Sequence, residues 1–302
     1  MRFSIYQESA QGGRPVNQDR MGYSFTRDSL LMVLADGMGG HPRGEVAARL
    51  AVQAAGAEFQ QRARPRLHDP ADFLRQAFMA AHRDILRYQA LHSLPGAPRT
   101  TLVACVVQAG RAWWAHAGDS RCYWIRAGSV RRRTRDHSRV EQLIELGLLT
   151  PGEAARHPER HLVSNCLGGP LEPRIEVSAD VELMIGDLLL LCSDGVWSAA
   201  DEGSLCHRLG SGPVSDSVPR LVREAVDRAG AAADNATAIA MAWEGEPLRR
   251  ATLPPLTLPD HAITTTIAHE PLDAAQVPEI TDEEIERTIR EIQAAIGHRR
   301  AR

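Results

Sequence analysis

The chain has 302 residues, a formal net charge of -3 and 43% hydrophobic residues, enough for one large core with or without an extension. All of its basic residues are arginine, so lysine Schiff-base and general-base chemistry are excluded, and the charge argues against general nucleic-acid binding. No apolar signal core opens the chain and no run approaches the roughly 20 apolar residues of a membrane span; with five cysteines in no paired metal spacing, the expectation is a cytoplasmic protein with reduced thiols.

Residues 2–9 alternate as a strand does, and a loop carrying Arg14, Asn17 and Asp19 follows. The apolar run 30–35 reads as a buried strand that stops at Asp36-Gly37. An acid at the end of a rigid element, with glycines behind it that let a ligand approach the backbone, suits a hard cation; an Asp-Gly turn is the plainer alternative. Helices are expected over 44–55 and 69–92, with His68, His82 and His92 at the surface or at helix ends. Short runs at 101–108, 111–117, 121–126 and 129–134, separated by glycine turns, indicate an antiparallel meander, and Asp119 sits in one of those turns. Arg131, Arg132, Arg133 and Arg135 read as a solvated strand edge or a patch for an acidic partner. Asp136 or Ser138 caps a helix running through Gly147, and the Pro- and Gly-punctuated stretch 148–162 suits a segment that moves. A strand is expected over 172–183. The run 187–192 then repeats the earlier grammar, an apolar strand ending in Asp194-Gly195. Helices at 201–209 and 215–229 precede Asp234, which opens the apolar strand 236–243. Asp19, Asp36, Asp119, Asp194 and Asp234, gathered at one end of a sheet with few neutralising neighbours, would need metal to coexist.

The ordered set RPVNQD, DGMGGHPRGEVAA, RTTLVACVV, AHAGDSRCYW, TRDHS, LLLCSDGVW and DNATAI resembles the bacterial metal-dependent Ser/Thr protein phosphatases of the 2C type over about residues 1–245. The resemblance implies an α+β fold, a four-layer α-β-β-α sandwich of two antiparallel sheets flanked by helices. It implies hydrolysis of phosphoserine and phosphothreonine by a water bridging two manganese or magnesium ions, about 3.5–4 Å apart, with phosphoprotein substrates and an opposing Ser/Thr kinase. By the same resemblance Asp36, Asp194 and Asp234 hold the first ion and Asp36 with the Gly37 carbonyl the second. Asp119 with Asp194 would hold a weaker third, Asp19 a metal-bound water, and Arg14 the substrate phosphate. Gln18 stands where some relatives carry glutamate. Animal relatives place a histidine directly after the first Asp-Gly; Met38 is there in this chain, and His41 is a candidate proton donor, with simple loop packing as the alternative. The stretch 148–162 matches the family's flap beside the active site.

Beyond 245 the composition changes. Prolines at 247, 254, 255, 259, 271 and 278 argue against regular elements over 246–280, which reads as a linker. At 281–302 a capping box at Thr281-Asp282-Glu283-Glu284, an isoleucine stripe (Ile285, Ile289, Ile292, Ile296), Gly297 and a basic tail read as an amphipathic helix. A helix this short is marginal alone, so the stripe wants a surface on the catalytic domain, on a partner protein or on a second copy.

Overall fold

In a computed structural model the described residues are 1–38, 43–154, 157–245 and 262–268. The elements run β1 (Arg2–Ala10), β2 (Arg20–Phe25), β3 (Ser29–Ala35), α1 (Gly44–Arg62), α2 (Pro70–Leu91), β4 (Leu102–Gln108), β5 (Arg111–Ala117), β6 (Arg121–Arg126) and β7 (Ser129–Arg133). They continue α3 (Arg139–Glu145), α4 (Pro151–Ala154), β8 (Glu176–Val177), β9 (Val181–Glu182), β10 (Leu188–Cys192), α5 (Asp194–Trp197), α6 (Glu202–Leu209), α7 (Val214–Ala229), β11 (Ala236–Gly245) and β12 (Thr264–Thr265). Two antiparallel sheets result, one ordered β1-β11-β10-β6-β7 and the other β12-β2-β3-β4-β5-β8, with β9 also on β5.

The uninterrupted apolar runs dictate the layering. Successive strand side chains point to opposite faces, so a strand covered on both sides needs apolar residues at every position. In β3, Leu30, Met32 and Leu34 enter the core between the sheets, while Leu31, Val33 and Ala35 pack under α1 and α2. Likewise Leu189 and Leu191 of β10 face the other sheet, and Leu190 and Cys192 pack under α6 and α7. The expected four-layer α-β-β-α sandwich is what forms.

Capping follows the chemistry of the termini. Asp69 accepts the Ala71 and Asp72 amides ahead of Pro70, and Ser138 accepts the Glu141 amide to start α3. Asp136, the other candidate cap, instead forms a two-pronged pair with Arg121 at 2.8 and 2.7 Å. Of the arginine cluster on and just after β7, Arg133 pairs with Glu202, Arg135 with Glu145, and Arg132 lies over the Trp114 ring. Four cysteines are buried, Cys166 partly so, and all five are free thiols.

Five expectations need correction. The meander expected over 101–134 is two hairpins in different sheets, β4 with β5 and β6 with β7, because the chain crosses between sheets at 118–120. His82 is not at the surface: it is 4% exposed and its Nδ1 accepts the Gly168 amide at 3.2 Å. The single strand over 172–183 is two short ones, because three residues (178–180) face two on β5 (113–114), and the bulge breaks the ladder. The helix over 44–55 continues through Gly56 to Arg62. A Cβ at Gly56 would lie 3.0 Å from the Ile267 side chain, so this glycine is a seat rather than a helix stop. Ile267 in turn belongs to the stretch read as linker, yet Thr264 and Thr265 pair with Phe25 and Ser24 on β2 and Ile267 is 4% exposed in the core. The sandwich unit accordingly runs through Ala268. The helix expected over 281–302 lies outside the described residues, as does His41.

Candidate active site

In an antiparallel sheet the end of one strand lies beside the start of the next, and that alone gathers the acids. Ala35, the last residue of β3, pairs with Arg20, the first of β2, so Asp36 and Asp19 are neighbours. Cys192 at the end of β10 pairs with Ala238 of β11 and with Arg121 of β6, which brings Asp194, Asp234 and Asp119 to the same edge. Ala10 pairs with Ala236, so the loop after β1 carries Arg14 to the cluster.

The electrostatics follow from that proximity. Burial, then repulsion from Asp19, Asp194, Asp119 and Asp234, holds the Asp36 carboxyl well above the usual carboxylate range. Asp194 is raised well above that range for the same reasons, with Asp119, Asp234 and Asp19 as its repelling neighbours. Burial pushes Asp119 up to about 7 and Asp19 up to about 6, the latter against the opposing Thr237 and Ser193 hydroxyls. Arg14 is the cation that meets this charge directly: its Nη2 lies 2.6 Å from Asp234 Oδ2.

Each acid is fixed through its backbone or through a neighbour. The Asp36 amide donates to Thr101 Oγ1 at 3.1 Å, and its carbonyl accepts the Thr101 amide at 2.9 Å and the Thr100 hydroxyl at 2.8 Å. Gly37 packs so closely that a Cβ there would lie 2.4 Å from the Gly44 carbonyl oxygen. Ser193 donates its hydroxyl to Asp19 Oδ2 at 2.8 Å, and Trp197 Nε1 donates to the Asp119 carbonyl at 2.9 Å. Asn235 accepts the Gln18 amide at 2.8 Å and donates to the carbonyls of Gln11 and Val16, which shapes the loop bearing Arg14. Gln18 reaches Glu45.

The donor set fits a hard divalent cation. Asp19 Oδ1 is buried without a hydrogen-bond partner, a costly state for an oxygen that has no other work. The oxygen-only cluster suits magnesium or manganese rather than a soft metal.

Sequence reading named all five acids and Arg14, which the structure brings to one edge. It missed the roles of Thr101, Ser193 and Asn235, although each lies inside a motif singled out for its resemblance. It also missed His161, in the stretch 148–162, whose Nδ1 lies 4.0 Å from Asp194 Oδ2.

Comparison with known proteins agrees with this geometry. The family model described as Protein phosphatase 2C matches residues 7–232. The serine/threonine protein phosphatase PstP of Mycobacterium tuberculosis is 33% identical over 210 residues, covering 69% of this chain and 39% of that protein, so the chain spans about two fifths of that relative. The protein phosphatase PhpP of Streptococcus pneumoniae is 33% identical over 227 residues, covering 72% of this chain and 88% of that protein. The catalytic domain of PstP, solved in complex with two manganese ions, superposes with a TM-score of 0.67 at 30% identity, covering 80% of this chain and 97% of that one. With the acids converging at the ends of a four-layer sandwich and the matches spanning that sandwich, the chain belongs to the protein phosphatase 2C family.

Proposed function

We propose that the chain is a metal-dependent protein phosphatase that hydrolyses phosphoserine and phosphothreonine directly, without a phosphoenzyme. The observation that carries this reading is the convergence of five carboxyl groups and one arginine at the sheet ends, where burial and mutual repulsion oppose ionisation until a cation is bound. Asp36, Asp194 and Asp234 are the ligands of a first manganese or magnesium ion, Asp36 and the Gly37 carbonyl of a second, and Asp119 with Asp194 of a weaker third. Asp19 acts on bound solvent, its unpartnered Oδ1 being free to accept. When bound, two such ions supply an activated water and a clamp for the phosphate in an in-line displacement.

Arg14 has two partners to choose between. Here it pairs with Asp234, whose Oδ1 also accepts the Asn235 amide. With Asp234 holding a metal, the planar guanidinium of Arg14 would be free to meet two phosphate oxygens at once. Substrates are phosphoproteins, with a cognate Ser/Thr kinase acting in opposition, in the cytoplasm, a setting supported by the five free thiols. Among the described residues no helix is long and apolar enough to cross a membrane. The helix read at 281–302 is a docking element, for the catalytic unit or for a partner protein.

Replacing Asp36 or Asp194 by asparagine tests the assignment: phosphate release from a phosphothreonine peptide should fall by at least about a thousandfold while the protein stays folded. Near-normal turnover in either folded variant would sink the ligand set.

A further inference from the structure

His137 follows Asp136 between β7 and α3 and touches none of the five acids, yet its ring is 1% exposed, stacked on His116 at 4.4 Å, with Nδ1 partnered and Nε2 without a hydrogen-bond partner. Its Nδ1 lies 3.2 Å from the Gly118 amide nitrogen and 2.7 Å from Asn165 Nδ2. The Asn165 amide has one possible orientation, because its Oδ1 accepts the Arg174 amide at 2.9 Å and its Nδ2 donates to the Arg174 carbonyl at 2.8 Å. Two N–H groups therefore point at Nδ1, which must be the unprotonated nitrogen, and the proton of the neutral ring is on Nε2, 3.4 Å from Glu176.

The tautomer also bears on a second group of potential ligands. His116, His137 and Glu176 have potential ligand atoms within 4.8 Å of one another. His116 Nε2, however, donates to the Arg135 carbonyl at 2.6 Å, and His137 Nε2 carries a proton, so neither Nε2 offers a lone pair.

What His137 does hold is the turn bearing Asp119. Its backbone amide donates to the Gly118 carbonyl at 2.9 Å, so Gly118 is clamped at both its amide and its carbonyl by one residue. Gly118 has φ +120°, and a Cβ there would lie 2.5 Å from Thr101 Cβ. Thr101 accepts the Asp36 amide, and its hydroxyl bonds Ser120 at 2.7 Å. On its other side the His137 carbonyl accepts the Ser164 amide at 2.8 Å, and Ser138 forms an isolated antiparallel bridge with Val163, the first residue after the stretch 148–162.

We propose that His137 is a positioning residue for the acid cluster: its Nδ1, oriented by Asn165, ties the Gly118-Asp119 turn to the root of the flap. The proposal deepens the phosphatase reading and rests on Asp119 as a metal ligand. Loss of the acceptor leaves the Gly118 N–H unpaired and lets the Asp119 carboxylate drift from its place beside Asp194.

The test is manganese binding to the full chain, followed by the electron paramagnetic resonance signal of free Mn²⁺. The chains compared are wild type, Asp119→Asn, His137→Leu, His137→Asn and Asn165→Asp. Asparagine at 137 can place Oδ1 where Nδ1 stands and should bind as wild type. Leucine at 137 should weaken the least tightly held manganese about tenfold, as Asp119→Asn does. Asn165→Asp should do the same without touching His137, because a carboxylate draws the proton to Nδ1 and removes the acceptor for Gly118; it serves if the leucine variant does not fold. Wild-type manganese binding in folded Asn165→Asp or His137→Leu would overturn the proposal, as would wild-type binding in Asp119→Asn. A wild-type chain that binds manganese but releases no phosphate from a phosphopeptide would count against the phosphatase reading alone.

Discussion

Asp19, Asp36, Asp119 and Asp194 are each held protonated to a higher pH than a free carboxylate, because burial and mutual repulsion penalise their charges. Relief of that repulsion is measurable. Asp36→Asn should raise the melting temperature of the chelator-treated protein by about 2–4 °C, the equivalent of roughly 1 kcal/mol, while abolishing turnover. A lower melting temperature would mean that Asp36 is a structural acid rather than one kept for a ligand. The same shifts set a pH dependence. A carboxyl raised in the fold keeps a proton that the unfolded chain has lost, so these groups make the metal-free fold less stable as pH rises from the ordinary value of 3.8 through about 6 for Asp19 and about 7 for Asp119. Metal binding needs the ionised forms, so the gain in melting temperature on adding manganese should be larger at about pH 7.5 than at about pH 5.5. Scans with manganese and with chelator at both values check this, and an equal or larger gain at the lower pH would contradict it.

At the scale of elements, the most informative piece is the shortest. β12 is two residues long in a proline-dense stretch, and nothing in its local pattern marks it as a strand. Its place is set by remote partners: the free edge of β2, the Thr266 amide on the Tyr23 carbonyl, Gln53 on the Ala268 carbonyl, and Ile267 in the space left by Gly22 and Gly56. Covering the β2 edge also removes a row of unpaired backbone groups. Ile267→Ala should cost about 2–4 kcal/mol in a denaturant titration, because the cavity lies between two glycines that cannot fill it. A cost below about 0.5 kcal/mol would show that the segment does not rest there in solution. Any shortened chain used to probe the region after the sandwich should therefore keep residues through Ala268.

Across the whole molecule, strands buried on both faces and acids at their ends were legible, because both leave local marks: an unbroken apolar run and an abrupt Asp-Gly stop. Antiparallel alternation does the rest, turning acids far apart in the chain into one cluster. The latches were not legible. Thr101, Ser193, Asn235 and His137 act through hydrogen bonds to residues remote in sequence, and the buried His82 was read as a surface residue because one histidine on a helix carries no sign of the Gly168 amide it accepts. The break between β8 and β9 was hidden for a related reason, since a bulge depends on the partner strand.

The central claim is that this acid cluster, loaded with metal, hydrolyses phosphoserine and phosphothreonine esters on proteins. Phosphate release from a phosphothreonine peptide by the full chain, with manganese, with magnesium and with chelator, tests it most directly. The account predicts turnover with either metal and none with chelator. A folded chain that binds manganese yet releases no phosphate under any of these conditions would contradict it, leaving a phosphatase fold used for binding alone.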